Sequence, residues 1–90
     1  MTPMERVRAG MFARSKTGHD KDKLYIILKK EGGYVYLTDG ELRPLSKPKR
    51  KNQKHIQPIC RIPEGWDSEQ ITDNFVKRAI RLQEKEDENV

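Results

Sequence analysis

Apolar residues come in short runs along this chain, and glycine, proline and charge break the runs apart. Gly10 leads into Met11-Phe12-Ala13-Arg14-Ser15, which reads as a strand. The polar residues 16–23, with Gly18 and Asp20 as turn formers, read as the loop after it. Leu24-Tyr25-Ile26-Ile27-Leu28 is β-branched, aromatic and too short for a typical helix. Glu31-Gly32-Gly33 interrupts before Tyr34-Val35-Tyr36-Leu37-Thr38, so these two runs make a β-hairpin. Asp39-Gly40 suits a tight turn, because glycine accepts positive φ and aspartate bonds its own backbone. Glu41-Leu42-Arg43 leads away from that turn with scope for a further strand pairing. Pro44, Pro48 and Pro58 cannot donate to a ladder, which makes residues 44–54 an exposed loop or an edge. Ile56, Ile59, Cys60 and Ile62 resume apolar character as a closing strand, with Pro58 at an edge or bulge position.

The period changes after Pro63-Glu64-Gly65-Trp66. Asp67 can cap a helix, and Gln70 three positions on can return the bond as a capping box does. Ile71, Phe75, Ala79 and Leu82 recur at helical spacing with Val76 and Ile80 beside them, while Asp73, Lys77, Arg78 and Arg81 fall on the other side. This stripe and Trp66 are expected to close one end of the sheet structure, docking on a partner protein being the alternative. Residues 84–90 are acidic and aperiodic and are expected to fray. Several short strands around a small core, followed by one helix, make a mostly β fold: a small five-stranded β-barrel and a C-terminal α-helix. The expected organisation is an N-terminal extension at 1–9, the barrel at 10–62, and the helix with its acidic tail at 63–90.

Composition narrows the class. Ninety residues form one domain with a small core, and 33% hydrophobic against 37% charged residues leave little for an enclosed substrate cavity. The single cysteine, Cys60, excludes an intrachain disulfide and reads as a small apolar core thiol. No run reaches the length of a membrane span, and no secretory h-region opens the chain, so a soluble cytoplasmic protein with no membrane partner is expected. Two histidines and one cysteine form no recognisable cluster, and no glycine-rich phosphate cradle is present. The expectation is therefore no enzyme, no cofactor and no metal site.

Charge then names a partner class. Residues 43–62 carry seven basic and no acidic side chains, whereas residues 1–42 carry eight and six, and residues 63–90 carry four and eight. A polyanion such as nucleic acid is drawn to the middle of the chain and repelled by its end.

One series of residues is familiar in its order and spacing. It runs from Gly10-Met11-Phe12 through Ser15-Lys16-Thr17-Gly18-His19-Asp20-Lys21, the apolar strand and Tyr34-Val35-Tyr36-Leu37-Thr38-Asp39-Gly40. Leu42-Arg43 and Lys47-Pro48-Lys49-Arg50-Lys51-Asn52-Gln53-Lys54-His55 complete it. Over roughly residues 10–57 this resembles the bacterial KOW-domain RNA-binding proteins, which are similar to archaeal and eukaryotic large-subunit ribosomal proteins of the KOW class. Two positions depart from the pattern. His19 stands where the family commonly has arginine, and Asp22 stands near where it has glycine. The resemblance implies an SH3-like barrel and association with RNA or the ribosome. It does not extend to the helix.

The candidate contacts follow from the residues. Lysine and arginine neutralise phosphates and release counterions, and Arg50 can grip oxygens in a fork. The main set is Arg43, Lys47, Lys49, Arg50, Lys51, Asn52, Lys54 and His55, the last of these and Asn52 adding hydrogen bonds to sugars or base edges. A second set surrounds Gly18: Arg14, Ser15, Lys16, His19 and Lys21. Asp20 repels phosphate and is expected to tie the loop, by accepting backbone donors or by holding a lysine or arginine. Asp39 and Gly40 serve the turn. Tyr25, Tyr34 and Tyr36 are expected to be buried in strand faces rather than to stack on bases. The resulting expectation is an RNA-binding protein contacting ribosomal RNA through phosphates, the alternative being a protein-interaction adaptor that uses the amphipathic helix.

Overall fold

The computed structural model describes residues 7–88. Five strands form, β1 (Phe12–Ser15), β2 (Leu24–Glu31), β3 (Tyr34–Thr38), β4 (Lys49–Asn52) and β5 (Ile56–Ile59), followed by one helix, α1 (Asp73–Glu88). All neighbouring strands are antiparallel, and the hydrogen-bonded order is β4-β3-β2-β1-β5 in an open sheet. Glu31 opposes Tyr34 across a two-residue turn in which Gly32 takes φ 60°, a backbone whose twist matches that of the flanking strands. The β2 and β3 runs thus form the expected hairpin. The two edge strands, β4 and β5, are joined only by the 3-10 turn Gln53–His55. Such a turn advances about 6 Å, while four flat interstrand steps would separate the edges by roughly 19 Å. The sheet must therefore be strongly coiled, bringing its edges together at that end.

Coiling gives the sheet an inside and an outside, and both are apolar where they are covered. Met11, Ala13, Tyr25, Ile27, Val35, Leu37 and Ile56 pack inside with Val7, which belongs to the stretch expected as an extension. Phe12, Leu24 and Ile26 alternate to the outside of β1 and β2, where Val76, Ala79 and Ile80 of α1 cover them. The helix therefore lies on the outer face instead of closing one end. Leu45, Ile59, Trp66 and Phe75 fill the margins of this second core.

A bulge in β2 marks where the outer face changes character. Ile27 pairs with Leu37 but Lys29 pairs with Tyr36, so Leu28 is the inserted residue. Before the bulge the outward residues are Leu24 and Ile26; after it they are Lys29 and Glu31. One extra residue has shifted the side-chain parity of the strand and ended the apolar strip.

The helix differs from its expected form in three ways. Asp67 organises a single turn, accepting from Glu69 N at 3.0 Å, and Thr72 caps α1 instead, its hydroxyl accepting from Phe75 N at 3.1 Å. The buried stripe is Val76, Ala79, Ile80 and Gln83, while Leu82 is 57% exposed, because the docking face lies one position around from the stripe that Leu82 would complete. Residues 84–88 remain helical, with Glu86 and Asp87 held by Arg61 and Arg14. Elsewhere, residues 41–43 form no strand, β4 pairing with β3 in their stead. Cys60 is exposed rather than in the core, since β5 ends at Ile59 and the chain turns sharply there, Arg61 N reaching Ile59 O at 2.6 Å. Ile62, beyond that turn, is 47% exposed. Among the described residues no helix is long and apolar enough to cross a membrane.

Gly40 couples the sheet to the helix. It takes φ 77°, and a Cβ there would collide with the Asp73 carbonyl oxygen and crowd Lys77. Gly32 shares the left-handed backbone but faces open space. Gly32→Ala should therefore cost about 1–2 kcal/mol of stability from backbone strain alone. Gly40→Ala should cost clearly more in the same urea titration, the excess measuring how tightly the turn seats on α1. Equal costs would show that this contact contributes nothing.

Candidate nucleic-acid interface

Residues 16–23 and β4 are far apart in sequence, and Asp20 joins them. Its Oδ2 accepts from Lys49 Nζ at 2.7 Å and from the Tyr25 hydroxyl at 2.8 Å. Its Oδ1 accepts from the Ser15 hydroxyl at 3.0 Å and from Lys51 Nζ at 3.2 Å. Lys51 also donates to the Thr17 carbonyl at 3.0 Å, and Lys16 N donates to the His55 carbonyl at 2.8 Å. The two stretches expected to touch RNA are thereby fastened into one surface. Asp20 holds lysines, the second of the two roles expected for it.

The electrostatics of this cluster favour the ionised carboxylate. Burial pushes the Asp20 carboxyl up, but the hydrogen bonds from Lys49, Tyr25, Lys51 and Ser15 outweigh it and hold the group far below its ordinary value of 3.8. The Tyr25 phenol moves the other way, raised by its burial and by the bond to Asp20. A second carboxylate closes the turn after β3. Asp39 Oδ1 accepts from Glu41 N and Arg43 N, both at 2.8 Å, and its Oδ2 lies 2.5 Å from Lys23 Nζ. Burial raises the Asp39 carboxyl and these donors more than reverse it, so it too is lowered.

Strand alternation then sorts the basic residues of β4. Lys49 and Lys51 oppose Leu37 and Val35 and point to the inner side, where they reach Asp20; their side chains are only 27% and 10% exposed. Arg50 and Asn52 oppose Tyr36 and Tyr34 on the outer side. The expected edge is present, but its lysines are not all free to meet a partner. Ser15 is buried, and Arg14 is tied to the Asp87 carboxylate and to the Asp22 carbonyl. Asn52 caps the 3-10 turn by accepting from Lys54 N. Arg14, Ser15, Lys49, Lys51 and Asn52 thus build the surface, whereas Lys16, Gly18, His19, Lys21, Lys47, Arg50, Lys54 and His55 are exposed on it. Arg43 is exposed in the neighbouring turn, where its backbone serves Thr38 and Asp39.

Asp22 explains itself by its backbone. It takes φ 72°, a left-handed conformation that glycine adopts freely and that aspartate tolerates better than most residues. Two further features escaped the sequence reading. Tyr34 is 41% exposed instead of buried, and the Arg50 guanidinium lies 4.6 Å from its ring centroid. Lys29 Nζ sits 4.6 Å from the centroid of Tyr36, which is half-buried. The period-two spacing of Tyr34 and Tyr36, and of Lys49 and Lys51, was the available signal for faces of opposite character. Phe12, Ile62, Phe75 and Leu82 line a groove between α1 and the segment after β5, together with the polar Arg61, Arg78 and Glu86. Among the described residues, no group of three or more His, Cys, Asp or Glu side chains is arranged to hold a metal ion.

Replacing Asp20 by Asn should cost about 2–3 kcal/mol, because two lysine ammoniums then share a half-buried site without a counter-charge. The pH dependence carries a definite sign. A carboxyl lowered by folding binds fewer protons than it does unfolded, so its stabilisation is complete above the ordinary 3.8 and drains away as pH falls below it. Urea midpoints of the unaltered chain should fall as pH drops below 3.8, and the fall should be smaller in Asp20→Asn. Parallel curves for the two proteins would remove Asp20 from this role.

Neither a scan against protein-family models nor a search of curated proteins finds a match to this chain.

Proposed function

We propose that this chain is an RNA-binding protein of the KOW kind, a closed SH3-like barrel bearing a C-terminal helix, whose partner is structured RNA and foremost ribosomal RNA. The observation that carries the reading is the fastening of the loop at residues 16–23 to the acid-free edge of β4 and its following turn. Exposed Lys16, His19, Lys21, Lys47, Arg50, Lys54 and His55 share that region, and Asp20 within it is neutralised by two lysines. The three-residue link between β4 and β5 supports barrel closure. Contacts to phosphates would dominate, since A-form RNA hides its major groove from side chains. Ribosome association and a cytoplasmic location belong to the same reading.

A second reading has its own observation. Ile62 and Leu82 are 47% and 57% exposed beside the groove on α1, a surface suited to an apolar segment of another protein. An adaptor using that groove would keep its partner after nuclease treatment, and an RNA binder would not.

Salt provides the test. With about five phosphates neutralised, the logarithm of affinity for transcribed ribosomal RNA fragments should fall against the logarithm of salt with a slope of roughly −3 to −5. Substituting Lys16 and Lys54 together by Ala should flatten the slope by about 1.5 and leave the urea midpoint nearly unchanged. A flat response in the unaltered chain would rule out phosphate-driven binding.

A further inference from the structure

The outer face of β2, β3 and β4 beyond the bulge carries two aromatic rings, Tyr34 exposed and Tyr36 half-buried, each paired with a cation. Tyr36 stands between Lys29 and Arg50 in the ladder, and Tyr34 between Glu31 and Asn52. The Arg50 guanidinium covers Tyr34 and the Lys29 ammonium covers Tyr36, each 4.6 Å from the ring centroid. On this part of the sheet the helix is absent, because α1 packs on Phe12, Leu24 and Ile26, on the other side of the bulge. The face is thus neither apolar core nor plain solvated charge.

We propose that this face is a stacking platform for unpaired nucleotides of an RNA strand, with bases laid on Tyr34 and Tyr36 and phosphates met by Lys29, Arg50 and Lys54. This rests on the RNA-binding reading above and adds to it the form of RNA that is recognised. Three observations converge on it. The rings are two residues apart on one strand, so they stand about 6.6 Å from each other along it. That is well beyond the ~3.4 Å between stacked bases of a duplex strand. An extended, unstacked strand fits such a spacing, and a duplex, whose bases are covered by their neighbours, does not. The cations are positioned where a polyanion needs them, and Lys54 follows directly on the same edge, exposed. Planar guanidinium and phenol together also make a surface on which a base of any identity can lie. The one acid here, Glu31, pairs with Lys29 at 3.4 Å with both side chains more than half exposed. An ion pair so wetted is weak and yields Lys29 to a phosphate.

A burial reading of the tyrosines makes a different claim. Buried rings would contribute to the core, yet Tyr34 is 41% exposed and neither it nor Tyr36 belongs to the inner cluster that contains Tyr25.

The test measures binding of labelled oligouridine of about ten nucleotides, and of a blunt RNA duplex of equal length, to the full chain and to Tyr34→Ala and Tyr34→Phe. Tyr34 is 41% exposed, so Tyr34→Phe should keep the original urea midpoint and Tyr34→Ala should lower it only slightly, both remaining folded under the binding conditions. Tyr34→Ala should weaken oligouridine binding about tenfold or more and leave duplex binding unchanged, while Tyr34→Phe should bind both as the unaltered chain does. Unchanged oligouridine binding by Tyr34→Ala, or an equal loss for both RNAs, overturns the platform while RNA binding itself stands. Failure of the unaltered chain to bind either RNA overturns the RNA-binding reading and the platform with it.

Discussion

The candidate surface depends on one half-buried carboxylate. Asp20 gathers two lysines of β4, a phenol from the inner core and a hydroxyl from β1, and so ties the glycine-containing loop to the β4 edge of the sheet. Without a carboxylate there, Lys49 and Lys51 would repel one another on the same strand face, and the bonds from Lys51 to the Thr17 carbonyl and from Lys16 N to the His55 carbonyl would have to hold the loop against that repulsion. An acid placed among phosphate-binding residues looks misplaced until its donors are counted. It contributes by fixing where the remaining cations point.

That arrangement divides labour within a basic stretch which looks uniform in sequence. Alternation along β4 sends Lys49 and Lys51 inward to Asp20 and leaves Arg50 outward over Tyr34. The helix claims two more arginines, Arg14 and Arg61, through Asp87 and Glu86. These pairs are exposed and add little to the hold of α1, which rests on its apolar packing, but they occupy two cations that the sequence leaves open to a polyanion. What remains exposed is a smaller set of cations, held by a more rigid base than a free lysine-rich loop would give, which lowers the ordering cost of contact.

Much of the fold was legible because its strands are short, apolar and cleanly punctuated. The β2–β3 hairpin followed from Gly32-Gly33, β1 from a short mixed segment set between Gly10 and a polar stretch, and the edge character of residues 44–54 from their prolines. Two of the differences share a cause, which is that period reading assumes a constant phase. Leu28 breaks the phase of β2 by one residue, and no local preference distinguishes a bulge from continued strand. On α1 the docking face turned on Gln83 rather than Leu82, since packing against Phe12 and Ile26 selected the stripe. The helix start moved from Asp67 to Asp73 because two capping residues compete within six positions, and Thr72 leads directly into the face that packs. Cys60 lay just past the end of β5, where burial is decided by a turn that composition does not announce. Of the candidate site, the two basic stretches were legible, and their junction through Asp20 was legible only as one of the two roles expected for that residue, holding a lysine or arginine.

The central claim is that the joined surface of the 16–21 loop and the 49–55 edge meets RNA. Ultraviolet crosslinking in cells, with the attached peptides and nucleotides both identified, addresses it most directly. The account predicts peptides from these two stretches joined to a small number of sites in ribosomal RNA. Crosslinks confined to α1, or a protein recovered with no RNA attached, would contradict it.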